Sequence, residues 1–136
     1  WVLFGKNMYG FAEYYRNDFG SASTSGYLAA DPERTARLAR GEIYTVGRDY
    51  AALGLQVELG PLVNVFANVI QNLNDASRYL QLRGVYDWRQ DTQFMAGFNL
   101  PDGETGSEYG GIPVPFPPGA SLAPGRSVYL RAAYYF

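Results

Sequence analysis

Six ionisable side chains fall at alternating positions of predicted β-strands, on the same side as small and polar residues. They are Glu13, Arg48, Glu58, Arg83, Asp87 and Arg131. The chain has no Cys and no His, so it lacks a thiol nucleophile, the commonest general base and the commonest metal ligand. Its acidic residues are too scattered for a calcium loop, and its glycines form no phosphate-binding loop. We therefore expect no enzymatic activity, no metal and no cofactor.

Two electrostatic roles remain open for these six charges. One is an internal network of opposite charges that keeps one surface of a sheet ordered, a common and weak arrangement. The other is selection of charged solutes at a constriction of a water-filled passage. Arg83 and Arg131 lie near mid-strand and are separated by one intervening predicted strand, so about 10 Å would lie between their strands.

The last eleven residues show the alternation most clearly. Apolar side chains fall on one face and small or polar ones on the other; the apolar set is Val128, Leu130, Ala132, Tyr134 and Phe136. An apolar face with aromatic residues near its end is typical of a transmembrane β-strand. A half-buried strand of a soluble sheet shows the same period, so this segment alone leaves both interpretations open.

The rest of the chain continues the pattern. We predict full strands over residues 8–17, 43–59, 62–73, 78–88, 92–100 and 126–136, with a strand fragment over residues 1–4. The fold class is therefore all-β, an antiparallel up-and-down meander within one domain of 136 residues. In the third full strand Asn64, Asn68 and Asn72 share a face, and a water-filled interior would satisfy these amides more easily than a dry core.

The connections between the predicted strands alternate in length. Long loops cover residues 18–42 and 101–125 and a medium loop covers 74–77, whereas short turns cover 5–7, 60–61 and 89–91. Six of the eight prolines lie in the loop 101–125, so we predict no ladder strand there. Short turns at one end and longer loops at the other are typical of outer-membrane barrels. No run of about eighteen apolar residues is present, which excludes a spanning helix.

Three stretches resemble porin-like outer-membrane β-barrels of Gram-negative bacteria: GRDYAALGLQVELGPLVNVFANVIQNLNDAS, GSEYG and the terminal YLRAAYYF. The resemblance implies the carboxyl-terminal part of a barrel in the bacterial outer membrane, in contact with the lipid bilayer and lipopolysaccharide. It implies passive passage of small hydrophilic solutes. It also implies that the barrel-assembly machinery reads the terminal strand, with Tyr134 and Phe136 as the signal. Single-chain bacterial barrels start at eight strands, so remaining strands or further chains are expected.

A short helix is predicted inside the first long loop. Asp31 suits the N-cap, Pro32 the first helical position and Gly41 the C-terminal stop. Within it Arg34, Arg37 and Arg40 recur every third residue and share a face. A solvated loop helix is the default interpretation. The alternative is a basic element that folds into a channel mouth or contacts lipopolysaccharide phosphates.

Composition narrows the remaining classes. The net charge of −2 offers no basic surface for nucleic acid. Tyr occurs 12 times, and Tyr suits a surface that is apolar on one side and wet on the other. A non-transporting barrel for adhesion or envelope anchoring stays open, and so does a soluble ligand-binding β-barrel. The chain opens on Trp1 without a signal peptide, and we expect further residues before it.

Overall fold

Six long strands form an antiparallel meander, which confirms the predicted all-β class. The computed structural model describes residues 1–27, 32–42, 44–114 and 117–136. The strands are β1 (Val2–Leu3), β2 (Lys6–Arg16), β3 (Asp49–Gly60), β4 (Val63–Asn72), β5 (Arg78–Arg89), β6 (Thr92–Asp102), β7 (Ile112–Pro113), β8 (Ser121–Leu122) and β9 (Ser127–Tyr134). The main sheet has the order β1-β2-β3-β4-β5-β6-β9, and β7 and β8 form a separate two-stranded ribbon. The main sheet is not closed into a barrel.

The register gives the sheet two chemically different sides. Across the middle of the sheet, apolar side chains of neighbouring strands face one another, as in the row Leu53, Val69, Leu80 and Leu100. The same side continues into β9 through Phe98 and its partner Val128. We call this side the apolar face and the opposite side the polar face. Because side chains alternate with period two, every ladder keeps these faces separate.

The apolar face is open to its surroundings. Val128 is 86% exposed and Leu130 is 81% exposed, while Leu53 is 57% exposed. Among the described residues, the most deeply buried aromatic side chains lie instead at the loop end of the sheet, where Tyr27 of the first long loop and Tyr50 near the start of β3 are 1% and 2% exposed. The core is therefore at one end of the sheet, next to the long loops, and not between two layers.

Two predicted boundaries are wrong. The first turn lies at Phe4 and Gly5, which both have positive φ, and Lys6 already pairs with Leu3, so residues 5–7 are not the turn. The strand predicted over 43–59 begins only at Asp49; Ile43 lies outside the described residues. Val46 instead accepts a backbone hydrogen bond from Ser21 across the loop, which draws this segment away from the ladder.

The second long loop also contains residues that pair in β-ladders, although its prolines predict none. Pro101 belongs to β6 and faces Tyr79, and Pro113 belongs to β7 and faces Ser121. Both lie at or next to a strand end, where a missing N–H group costs the ladder little. The prediction of no ladder strand over 101–125 is therefore wrong at these two places.

The first long loop contains the short helix that the sequence predicts. Helix α1 covers Pro32–Ala39, and Gly41 follows it with a φ of 68°, a conformation suited to a helix stop. The predicted N-cap Asp31 lies outside the described residues. A one-turn 3₁₀ helix, Thr24–Gly26, precedes it. Among the described residues, no helix has the length and apolar character needed to cross a bilayer.

The two sheet edges generate the first prediction. Strand β9 pairs only with β6, and most of β2 pairs only with β3, so each edge leaves a row of unpaired backbone groups. In detergent, the amides of β4 and β5 should exchange hydrogen slowly. About half of the amides of β9 should exchange fast, unless association between copies protects them. Hydrogen exchange with size analysis measures both. A monomer with β2 and β9 protected as well as β4 would contradict this expectation.

Candidate functional site

Five of the six predicted ionisable residues share the polar face. The register puts Glu13, Glu58, Arg83, Asp87 and Arg131 on that side of their strands. Arg48 does not lie in a strand, and its guanidinium contacts Asp49 at 2.9 Å. The prediction that Arg48 belongs to the strand surface is therefore wrong, because the strand begins one residue later.

Two cross-strand rows pass through the middle of the polar face. The arginine row consists of Tyr9, Gln56, Phe66, Arg83, Gly97 and Tyr129. The amide row consists of Phe11, Gly54, Asn68, Gln81, Asn99 and Ser127. Along the amide row Gln81 donates a hydrogen bond to Asn99 at 3.3 Å, and Asn99 donates one to Ser127 at 2.9 Å. The middle of this face is thus a hydrogen-bonding surface with few charges.

The Arg83 guanidinium contacts an aromatic ring, and no acidic side chain among the described residues forms an ion pair with it. Its guanidinium carbon lies 4.3 Å from the centroid of the Phe66 ring, within the range of a cation–π contact. Its Nε atom is covered and has no hydrogen-bond partner, and among the described residues no ion pair reaches this side chain. Arg83 therefore presents an uncompensated positive charge at mid-strand.

Arg131 is not level with Arg83. Arg83 faces Gly97 and then Tyr129, so Arg131 lies two residues further toward the short turns, opposite Met95. With two strand spacings across and two residues along, the two backbone positions are about 12 Å apart. The prediction of one intervening strand is correct, but the two arginines belong to different rows.

The acidic residues lie toward the margins of the same face. Glu58 accepts a hydrogen bond from Asn7 at 2.7 Å, and Asp87 accepts one from Gln93 at 2.7 Å, both near short turns. Glu13 faces Ala52 toward the loop end. The polar face therefore has Arg83 in its middle and Glu13 toward the loop end, whereas Arg131 lies in the row of Glu58 toward the short turns.

The arginines of the loop helix are largely compensated. Arg37 contacts Glu33 at 2.9 Å and Glu42 at 3.4 Å, and its guanidinium carbon lies 4.2 Å from the Phe19 ring centroid. Arg40 contacts Glu42 at 2.6 Å, and this hydrogen bond lowers the pKa of the Glu42 carboxyl and raises that of Arg40. Arg34 is part of α1, and its side chain lies outside the described residues. This geometry favours a solvated, self-paired helix.

A buried polar cluster joins the long loops to the sheet. We call it the loop lock; its members are Tyr27, Tyr50, Asn72, Asp75, Ser77 and Glu108. Glu108 accepts hydrogen bonds from Tyr50 at 2.6 Å, from Asn72 at 2.8 Å and from the Val46 amide at 3.0 Å. Asn72 and Ser77 have no exposed surface. Asn72 is therefore satisfied by protein groups, and the expectation that lumen water would satisfy it is wrong.

Asp75 completes the lock from the medium loop. It accepts hydrogen bonds from Tyr27 at 2.8 Å, from the Glu108 amide at 2.8 Å and from the Ser77 hydroxyl at 2.6 Å. Burial acts to raise the pKa of Asp75, but the bonds from Ser77, Glu108 and Tyr27 outweigh it, and the net pKa lies below the ordinary 3.8. Burial, with the bond to Asp75, raises the pKa of the Tyr27 phenol, which keeps its hydroxyl protonated as a donor.

The lock draws two loops onto the polar face at its loop end. Tyr50 and Asn72 are cross-strand partners on that face, and Tyr27 and Glu108 reach them from the first and last long loops. Tyr109 stacks on Tyr79, also on the polar face, with ring centroids 5.6 Å apart. Burial is the main cause that raises the pKa of Tyr109, and the nearby Glu108 and Asp75 carboxylates raise it further. A Cβ at Gly47 would collide with Asn72 and Tyr50, so glycine is needed there.

Sequence reasoning missed the lock almost entirely. Its acids and tyrosines come from separate loops and strand ends, and no local spacing links Tyr27, Asp75 and Glu108. The sequence contains one signal for the lock, which is the occurrence of turn-forming polar residues in 74–77 together with the segment GSEYG. By itself, GSEYG supports only the resemblance to porin-like barrels.

Tyr134 and Phe136 lie at the other end of the molecule. Tyr134 ends β9 opposite Thr92, and its ring centroid is 6.4 Å from that of Phe136. The Phe136 side chain is fully exposed. Their proposed role as an assembly signal stays a prediction.

Comparison of the chain with protein-family models, with curated proteins and with solved structures finds no match. The functional proposal therefore rests on the geometry of this chain.

The loop lock should weaken in acid. Since the folded pKa of Asp75 is below its ordinary 3.8, its contribution is fully present above pH 3.8 and is lost as the pH falls through the folded value. Protection factors for residues 103–111, taken relative to intrinsic rates at each pH, should fall in that window before those of β4. Asp75→Asn should lower protection already at pH 7, by about 1–3 kcal/mol of opening free energy.

The control is Glu104→Gln, because Glu104 is an exposed acid within the measured segment 103–111. It should leave both the protection and its pH dependence unchanged. If Glu104→Gln and Asp75→Asn had the same effect, the total charge of the loops and not the loop lock would determine the protection of residues 103–111.

Proposed function

We propose that this chain forms part of an outer-membrane β-barrel whose polar face lines a water-filled passage for small hydrophilic solutes. The observation that carries the proposal is the register of the six-strand meander, which separates an exposed apolar face from an amide-rich face across every ladder. Apolar-out and polar-in alternation is the pattern of membrane barrels.

The apolar face supports a lipid contact. Leucine, valine and aromatic side chains on it remain exposed from β3 to β9, among them Leu53, Leu100, Val128 and Leu130. A contiguous apolar surface of this extent is unfavourable in water, whereas hydrocarbon solvates it at no cost. Tyr86 and Trp88 lie at the short-turn end, where an aromatic girdle at the membrane interface is expected.

The polar face supports a wet interior. Gln81 donates a hydrogen bond to Asn99, and Asn99 donates one to Ser127, while the remaining donors and acceptors of these amides need water or a solute. A dry packed interior would leave these groups and Arg83 unsatisfied. The loop lock narrows this side at the loop end without covering the middle rows.

Closure needs partners beyond the six strands. Open sheet edges are not tolerated in hydrocarbon, because each unpaired backbone group costs several kcal/mol. We propose that remaining strands or further chains complete the barrel, that the assembly machinery of the outer membrane reads the terminal strand, and that lipopolysaccharide surrounds the loops. We place no nucleic acid among the partners.

The charge distribution supports a preference for anions. Arg83 lies in the middle of the wall, and Arg131 lies one row closer to the short turns, in the same row as Glu58 but four strand spacings away from it. Glu58 and Asp87 are hydrogen-bonded near the short turns. A local positive field in a narrow passage attracts anions whatever the net charge of the protein.

Reversing the mid-wall charge should reverse the selectivity. In the complete protein in planar bilayers, Arg83→Glu with Arg131→Glu should shift the reversal potential in a salt gradient toward cation preference. The control pair is Arg78→Glu with Arg89→Glu, which makes the same charge change on the margins of the apolar face. This pair should shift the reversal potential far less.

Two outcomes would count against the proposal. Equal shifts from both pairs would mean that net charge and not wall position sets selectivity. Absence of conductance in a correctly inserted protein would favour the non-transporting barrel.

Deleting Phe136 should separate packing from assembly. As a packing residue, an exposed terminal aromatic at the interface stabilises a folded barrel by at most about 1.5–3 kcal/mol. As an assembly signal, its loss should reduce insertion in cells much further, with unfolded protein accumulating in the periplasm, while refolding into detergent stays near normal. Trp1→Ala, also at an exposed aromatic, is the control. Equal defects in cells and in detergent would leave packing alone.

A further inference from the structure

A shallow hollow lies on the polar face beside Arg83. It has a volume of about 210 Å³ and is lined by Tyr9, Phe11, Gln56, Phe66 and Asn68, together with Leu55. All but Leu55 belong to the arginine row or the amide row. Three of its six lining residues are thus aromatic and two carry amides, in the middle of the polar face.

The shape of the hollow depends on a glycine. Gly54 faces Phe11 on one side and Asn68 on the other, and a Cβ there would collide with the Phe11 ring and lie 2.7 Å from Asn68 Oδ1. The Phe11 ring therefore occupies the space over Gly54 that a side chain would fill. This arrangement places an aromatic ring of the hollow next to the Asn68 amide, which can hydrogen-bond.

Phe66 connects the hollow with the unpaired cation. The Phe66 side chain lines the hollow, and its ring centroid lies 4.3 Å from the guanidinium carbon of Arg83. The ring contact covers one side of the guanidinium, and because the Nε atom is covered, the two terminal Nη groups are the ones left for another partner. Across the next strand, the Tyr129 hydroxyl end lies above Gly97, the cross-strand partner of Arg83.

We propose that Arg83 and this hollow form a binding site for small carboxylates that carry a flat apolar group. The guanidinium fork matches a carboxylate in a bidentate geometry, and the ring of the ligand would lie against Phe11 and Phe66. The Gln56 and Asn68 amides would take additional polar substituents. The inference rests in part on the proposed passage, since it names the solute class that the wall retains, but the site itself needs only the sheet.

The test uses 4-fluorobenzoate as the probe, with ¹⁹F line broadening measured against the complete protein in detergent micelles. Saturable binding is expected, and Arg83→Gln should weaken it by about tenfold or more, since a charge-assisted bidentate bond is lost. Arg83→Lys keeps the charge without the fork and should recover only part of the affinity. Neutral 4-fluorobenzyl alcohol should bind much more weakly than the carboxylate.

Arg131→Gln separates a site from a general field, because it removes the same charge one row away. It should weaken binding by less than about twofold, as expected of a screened charge beyond about 10 Å. Phe66→Leu should weaken binding of 4-fluorobenzoate more than that of fluoroacetate, which has no ring. Equal losses from Arg83→Gln and Arg131→Gln, or no saturable binding with the sheet intact by hydrogen exchange, would overturn the proposal.

Conductance distinguishes this inference from the proposed function. Binding with the expected variant pattern in a protein that does not conduct would overturn the passage and retain the site. Conductance without saturable binding would retain the passage and overturn the site.

Discussion

The register of the antiparallel ladders is the constraint on which the rest of the molecule depends. Side chains alternate with period two, so a slip of one residue in any ladder would move that strand's leucines to the polar face and its amides to the apolar face. The observed pairing of Leu53 with Val69, Leu80 with Leu100 and Phe98 with Val128 keeps the separation through every strand pair. Both the exposed apolar surface and the two polar rows follow from this single geometric condition.

The loops use a different kind of stabilisation from the strands. A single sheet has no second layer in which to bury its apolar side chains, so the buried core forms from polar groups where the long loops meet the strand ends. There the Glu108 and Asp75 carboxylates are satisfied by hydroxyl and amide donors and not by cations. Such a cluster is stable only when each member has its partner, because an unsatisfied buried group costs more than a satisfied one contributes. The lock therefore fixes the loops in one arrangement.

The strand pattern was readable from the sequence because it is local, and the loop structure was not because it is distant in sequence. Alternation at Val128, Leu130 and Ala132 depends only on neighbours along the chain, and the same holds for the strands around the two short turns at 60–61 and 89–91. The late start of β3 depends instead on contacts of Val46 with Ser21 and Glu108. It also depends on the glycine at position 47, because any side chain there would collide with Asn72 and Tyr50. Arg48 was misassigned for that reason. The faces of Arg83 and Arg131 followed from alternation, but their offset by one row needed the ladder pairing.

The placement of charge on the polar face connects the fold with the proposed chemistry. Glu58 and Asp87 accept hydrogen bonds near the short turns, where their charge is shared with neighbouring amides. Arg83 has an aromatic ring as its partner, and a ring leaves the positive charge in place while covering one face of the guanidinium. An acid beside Arg83 would cancel its charge, and a lysine would lack the planar fork. The combination of Phe66, Arg83 and Gly54 therefore places a positive charge beside an aromatic hollow in the middle of the polar face.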